Sequence, residues 1–441
     1  MGVVPMQLQA PGKENIQGNA CDMDKVAAII LGGGAGSRLH PLTLSRCKPA
    51  ICFGGRYRLV DVPISNALNS GCKKMFLVTQ FLSTSLHQHL FRTYGSDLFS
   101  NGMLEILTAE QKPTQQDWFQ GTADAVRQNI EYLVDLPVDY YLILSGDQLY
   151  SMDFREFVSF GVETDADLVI AGLKITAKDA PRMGIMKTDE NHFITDFVEK
   201  PQNEALLMRL RQIHLGEEQE KPYLASMGIY LFKRSALLNL LQEHKGLDFG
   251  KHLIPAQLEK GPVAVYPFDS YWEDIGTIGS FHEANMELTK QQPLYNLYDE
   301  KWPLHNIQGQ LPGPKIVNTM LDHTILNEGS QVFNSQISHS IIGPRSIIST
   351  GCDISWSYVM GNDFYTPPQG GRFPKKLTID ENCTMRKTIL DKNVSIGKNV
   401  QLINRNQLTT YDPAPHEPQV YIRDGIIVVP AGAAIPDYFV L

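Results

Sequence analysis

From Ile325 onward, aliphatic residues recur about every six positions: Ile325, Val332, Ile337, Ile342, Ile348, Ile354, then Ile379, Ile389, Ile396 and Ile403, with Asn, Ser, Asp and Gly between them. Neither a helix nor an alternating strand has that period. A parallel β-helix does, because each short strand of its prism buries one aliphatic side chain. Residues 361–376 (GNDFYTPPQGGRFPKK) are too polar and too rich in Pro and Gly for a prism strand and read as an inserted loop. The pattern is preceded by Gln291-Gln292-Pro293 and by LPGPK at 311–315, which mark a linker.

The texture upstream is different. The apolar run Val26 to Leu31 stops at Gly32, Gly33 and Gly34; Gly36 and Arg38 follow, then Lys48-Pro49. A short apolar run bounded by glycines suits a buried parallel strand. Glycines after it let the backbone come close to a ligand, and the free N–H groups of such a turn face an anion. Arg38 and Lys48 then read as phosphate clamps. The P-loop pattern is absent, since Lys48 precedes Pro49, and the dinucleotide pattern fails at Ser37.

Further strands and helices alternate in the manner of an α/β domain. The spacing predicts a helix from Asp61 through Leu68, a strand Lys74–Thr79 ending at Gln80, a helix over 83–94, and a helix opening at Gly121-Thr122-Ala123-Asp124. Trp118 and Phe119 precede that helix and suit either a base stack or the core. The strand in YYLILSGD (140–147) delivers Asp147 to its C-terminal end, where open α/β sheets bind ligands and where a carboxylate is placed to hold Mg²⁺. Asp274, in YWEDIGT, is a second acidic candidate. Lys200 precedes Pro201, so an extended backbone is expected there.

A net charge of −9 argues against nucleic-acid binding and confines any polyanion site to a local basic patch. No apolar run has membrane-spanning length, and the first 23 residues read as a flexible tail rather than a signal or transit peptide. The six cysteines have no zinc spacing and read as reduced thiols of a cytoplasmic protein, Cys21 being the one placed for intermolecular pairing.

In order along the chain, LGGGAGSRLHPLTLSRCKPA, VPISNALNSG, DWFQGTADAVRQ, SGDQLYSMDF, FVEKP, ASMGIYLF, DFG and YWEDIGT resemble the ADP-glucose pyrophosphorylase (glucose-1-phosphate adenylyltransferase) family, closest to its plant and cyanobacterial type. The resemblance implies a Rossmann-like nucleotidyltransferase domain with a mixed, mostly parallel sheet at 24–290. A linker (291–315) and a left-handed β-helix (316–441) follow, assembled as a homotetramer. It implies ATP and glucose 1-phosphate as substrates, Mg²⁺ as cofactor, and ADP-glucose for glycogen or starch synthesis as product. By resemblance, Gly32, Gly33, Gly34 and Gly36 line the ATP phosphates, and Gln80, Trp118, Phe119, Gly121 and Thr122 border the adenine. Arg38, Lys48 and Asp147 are catalytic, and Asp147 and Asp274 hold the metal. Glu199, Lys200, Ser226 and Asp274 bind glucose 1-phosphate.

An anionic effector is expected against Arg46, Arg58, Lys74, His89 and Lys392, which match the family's basic cluster. The chain departs from that cluster at Gln88, Ile307 and Gly309 and near Pro430, and from the enteric-bacterial type at Ser45, so anion activation is expected to be weak, altered or lost. The rival readings are a dTDP-glucose or GDP-mannose type of pyrophosphorylase, a regulatory subunit of the same fold, and a hexapeptide acyltransferase. The second is disfavoured because Arg38 and Lys48 are both present. The third would need His323 or His339, which fit as solvated edge residues.

Overall fold

The structure, a computed structural model, describes residues 22–95, 103–110, 117–212, 220–307, 310–371 and 373–441. Cys21 and Gly309 lie outside the described residues. Met23, assigned to the tail by sequence, is instead buried in the N-terminal core.

That core surrounds a nine-stranded mixed sheet. Four neighbouring strands, Tyr140–Ser145, Val26–Leu31, Lys74–Thr79 and Met103–Thr108, run parallel. Their side chains alternate between two cores. Val26, Ala28 and Ile30 enter one with Met75, Leu77, Leu142 and Leu144, while Ala27 and Ile29 enter the other with Phe76, Val78, Tyr141 and Ile143. Strands buried on both faces read as unbroken apolar runs, which is why they stand out in the sequence. Antiparallel strands complete the sheet around Tyr223–Lys233, which carries a bulge between Ser226 and Tyr230 with Gly228 at φ +74°.

A three-residue ladder outside this sheet has no strong sequence pattern. Trp272–Asp274 pairs antiparallel with Gln148–Tyr150, so Asp274 lies opposite Gln148, next to Asp147.

The C-terminal domain is a stack of short parallel strands on three faces. On one face two columns run side by side. Leu326, Ile342, Val359, Leu390 and Val429 point into the prism. Ile325, Ile341, Tyr358, Ile389 and Val428 point outward and pack into the core of the N-terminal domain. The six-residue comb is thereby corrected at three teeth. Ile325 and Ile389 face the other domain, and the half-exposed Ile403 yields its prism place to Leu402. Strand neighbours point to opposite faces, so a one-residue wobble in spacing exchanges one environment for the other. Many prism corners carry non-glycine residues at positive φ, Asn more often than any other, but one corner has His323, His339 and Trp356 with their rings stacked 4.7 and 4.5 Å apart.

The connecting segment is strapped to the N-terminal domain. The Trp302 indole N–H donates to Asn66 Oδ1 (2.7 Å), His305 N donates to Ser65 Oγ (2.8 Å), and Asn306 Nδ2 donates to the Arg56 carbonyl (2.8 Å). With the Tyr358 ring tilted against Phe281 at 5.9 Å in the buried seam, the two domains share one hydrophobic core.

Candidate active site

The parallel strands end together, Leu31 in register with both Val78 and Ser145, and the segments leaving that edge build a cleft of about 970 Å³. This is the carboxyl edge at which open α/β sheets take ligands.

The glycine loop forms one wall. Gly32 is not free to bind an anion, because its N–H donates to the Val78 carbonyl (2.8 Å) and extends the sheet. Gly33, Gly34 and Ala35 line the cleft, and among the described residues no acceptor takes their amides. Open amides in such a turn suit an anion. Gly36 turns the chain at φ +62°, where a Cβ would stand 3.1 Å from Lys48 Cβ and from Thr43 Cγ2.

Lys48 is buried behind Asp147, which lines the cleft, and is not itself part of the lining. Its ammonium lies 2.5 Å from Asp147 and 3.5 Å from Asp274. Burial opposes the lysine's charge, but the two carboxylates outweigh it and raise its pKa. Burial likewise opposes the Asp147 charge, and Lys48, with the Ser145 hydroxyl and Arg38, overcomes it and lowers that pKa. Lys48 and Asp147 are therefore both ionised at neutral pH. The exposed Arg38 reaches the same place, its guanidinium 3.5 Å from where a Gly276 Cβ would stand.

The opposite wall carries the residues assigned to the nucleoside. Gln80 clamps the Phe119 backbone, accepting from its N–H (2.8 Å) and donating to its carbonyl (3.2 Å). Phe119 is a core residue that reaches the cleft, whereas Trp118 is exposed at the rim. A Gly121 Cβ would sit 2.2 Å from the Leu247 carbonyl, so no side chain fits there. The Thr122 hydroxyl donates to Asp248 (3.1 Å).

At the far end, Glu199 lines the cleft, and its carboxylate fits against Gly184 and Gly250, where Cβ atoms would come within 2.7 Å of Oε2. Lys200 lies 3.2 Å from Glu199 and is mostly exposed. The extended backbone expected there is corrected: Lys200 sits at φ +49°, its N–H held by the Met183 carbonyl (3.0 Å) as the strand Ile194–Glu199 ends. Ser226 is buried beside the bulge and accepts from Gly228 N (3.2 Å). Sequence reasoning missed Gln148, Tyr230 and Asp248, which also line the cleft. Gln148 donates to the Met227 carbonyl (2.7 Å) and accepts from Trp272 (3.3 Å), tying the floor to the bulged strand. The DFG motif at 248–250 was the available clue to Asp248.

The residues expected to hold an effector do not form one open patch. Arg46 is buried in the seam and paired with Asp391 of the β-helix at 2.9 Å. Asp363 stands in the same group: burial opposes its charge, but Lys392, Asn393, Arg58 and Arg46 lower its pKa. Arg58 also donates to the Ala50 and Ser85 carbonyls. His89 is held by Asp61 at 2.6 Å. Lys74 points elsewhere, to the Asp24 carbonyl at the amino end of its strand.

Residues 27–291 match the family model described as nucleotidyl transferase, and residues 310–440 match the GLGC left-handed parallel beta-helix domain. The chain belongs to the nucleotidyl transferase family, and it is an enzyme of the sugar-1-phosphate nucleotidyltransferase class. The two domains together are the hallmark pair of the ADP-glucose pyrophosphorylases, the family that the ordered motifs resemble. Nucleotidyltransferases of this kind generally use a divalent metal ion. Asp147 and Asp274 fit one, since both carboxylates already converge on a single cationic centre, the Lys48 ammonium.

Proposed function

We propose that the cleft transfers the adenylyl group of ATP to glucose 1-phosphate, yielding ADP-glucose and pyrophosphate. The observation that carries this reading is the Lys48 ammonium held between Asp274 and the cleft-lining Asp147, with the glycine loop at one wall of the cleft and Glu199, paired with Lys200, at the other end. Two polyanions have to meet, and the site offers charge at both ends.

A phosphate oxygen of glucose 1-phosphate attacks the α-phosphorus of ATP, a new P–O bond forms, and the bond to the β-phosphate breaks with its electrons on pyrophosphate. The nucleophile is ionised at neutral pH, so no general base is required. In keeping with this, no histidine lines the cleft among the described residues. Positioning and charge neutralisation then carry the catalysis. The Gly33, Gly34 and Ala35 amides cradle the phosphates, and Arg38 and Lys48 stabilise the leaving pyrophosphate. Gln80 holds the Phe119 segment against the nucleoside, and Lys200 takes the sugar phosphate. Asp147 and Asp274 would hold Mg²⁺, which when bound supplies further neutralisation of phosphate charge.

The same reading places the enzyme in the cytoplasm at the head of glycogen or starch synthesis, as a homotetramer. An exposed apolar first coil of the prism (Ile316, Val317, Met320, Leu321) supports a subunit contact there. No helix of the described residues is long and apolar enough to cross a membrane. Response to an anionic effector is weak, because Asp363 and Asp391 already neutralise the seam cations.

The test is the purified chain with glucose 1-phosphate, Mg²⁺ and each of ATP, dTTP, GTP and UTP, with nucleotide sugar and pyrophosphate both quantified. ATP is expected to be preferred at least about tenfold, a difference of ~1.4 kcal/mol in transition-state binding. Equal or better turnover with another nucleotide overturns the base assignment, and no turnover with any overturns the reading.

A further inference from the structure

We propose that a β-hairpin of the β-helix domain, through Asp424 and Arg423, is a positioning element for the catalytic residues Asp274 and Arg38. The inference rests on the adenylyl-transfer reading and assigns a residue pair to it that the cleft itself does not contain.

The hairpin joins Tyr421–Arg423 to Ile426–Val429 through Asp424-Gly425, whose φ values of +53° and +77° suit the tight two-residue turn that Asp-Gly favours. It is rigidly mounted. Ile422, Ile427 and Val429 enter the prism core, Ile426 and Val428 enter the shared core, and Thr388–Leu390 pairs with Ile427–Val429.

From this mount two contacts cross the seam. Asp424 Oδ2 accepts from Gly279 N at 2.8 Å. Gly279 lies in the first turn of the helix Ile278–Glu287, which begins four residues beyond Asp274. Thr277 and Ser280 cap that helix reciprocally from within, and Asp424 takes a further donor of its first turn, placing a carboxylate at the positive end of the helix. The approach is so close that a Cβ on Gly279 would stand 3.2 Å from Asp424 Cβ and Oδ2. The start of the helix is thus fixed from the other domain, and with it the Ile275-Gly276 segment that carries Asp274 on one side and packs against Arg38 on the other.

The second contact reaches the Arg38 loop directly. Arg423 Nη2 lies 3.4 Å from His40 Nδ1, and the His40 ring meets Tyr421 edge-on at 5.2 Å. Arg423 is itself held by the Tyr411 and Ile422 carbonyls and by Asp412. Burial and the Arg423 charge lower the His40 pKa, so the ring accepts as a neutral imidazole. One two-residue turn therefore grips the chain two residues after Arg38 and, at Gly279, a few residues after Asp274.

The test uses the full chain with Asp424→Ala, Asp424→Asn and Arg423→Met. Asp424→Ala is expected to lower kcat about three- to tenfold, the range of a lost helix cap expressed in the rate, with KM for ATP unchanged and the melting temperature close to wild type. Asp424→Asn, which keeps an acceptor for Gly279 N, is expected to restore most of kcat, and Arg423→Met to lower it in the same range as Asp424→Ala. In parallel, amide hydrogen exchange over 277–281 is expected to quicken in Asp424→Ala and not in Asp424→Asn. Wild-type kcat and exchange in Asp424→Ala overturn the inference while leaving the activity intact. An inactive wild type overturns the functional reading, and the exchange comparison still decides whether the anchor exists.

Discussion

Lys48 and Arg46 stand two residues apart, are equally buried, and are both paired with aspartates, yet they belong to different regions with different duties. Lys48 is paired with Asp147 at the cleft and with Asp274, whose side chains are 24% and 46% exposed. Arg46 faces the interdomain seam, where the Asp391 side chain is 1% exposed. A pair that opens on a cleft can exchange its counter-ion for an arriving phosphate. A sealed pair cannot do so without exposing an unpaired charge to a desolvated site. The difference suits Lys48 to the proposed catalytic role and Arg46 to domain cohesion, although the sequence presents them as one basic stretch.

The largest effect is expected at the seam. Arg46→Met leaves Asp391 buried without its partner, at a cost of about 3–5 kcal/mol in unfolding free energy. Adding Asp391→Leu should recover most of that loss. A single variant that melts with wild type in a denaturant titration would break the comparison. Beside the cleft, Lys48→Ala should lower kcat about 10²- to 10³-fold while the melting temperature stays near wild type, because the carboxylates it leaves are partly open to solvent. A Lys48→Ala enzyme that is chiefly unstable would make the two lysine and arginine sites alike.

Gly36→Ala should give an intermediate effect. It forces a side chain into left-handed backbone at about 1–2 kcal/mol and into contact with Lys48 Cβ. About a tenfold fall in kcat, with effector response unchanged, is expected from steady-state assays. The smallest effect concerns His282, which donates to the Trp356 carbonyl (2.8 Å) across the seam. Burial, against that hydrogen bond and with Lys387, lowers its pKa below 6.5. The unfolded chain then binds a proton that the folded chain refuses. Stability is intact above the unfolded value and is lost as the pH falls below about 6.5, until the folded-state value is passed. His282→Gln should therefore show a shallower fall in melting temperature between pH 7.5 and 5.5 than wild type does.

What the sequence disclosed follows from the same physics. Val26–Leu31, Lys74–Thr79 and Tyr140–Ser145 are buried on both faces and so appear as plain apolar runs with ligand segments at their ends. Asp147 and Asp274 could each be picked out, but not their juxtaposition, which depends on a three-residue ladder without periodicity of its own. The β-helix was legible as a period, while the assignment of Ile325 and Ile389 to the prism was not, since a residue that faces the neighbouring domain is as apolar as one that faces the prism. The pairing of Arg46 was hidden from the sequence because its counter-ion lies 345 residues further along the chain. Nothing local announces that pairing.

The claim that cleft charge is exchangeable and seam charge is not is tested most directly by titrating the wild-type enzyme, turning over ATP and glucose 1-phosphate, with 3-phosphoglycerate and with fructose 1,6-bisphosphate. With the seam cations already neutralised by Asp391 and Asp363, the rate should change by less than about twofold, under ~0.4 kcal/mol. A several-fold rise with either anion would contradict the account.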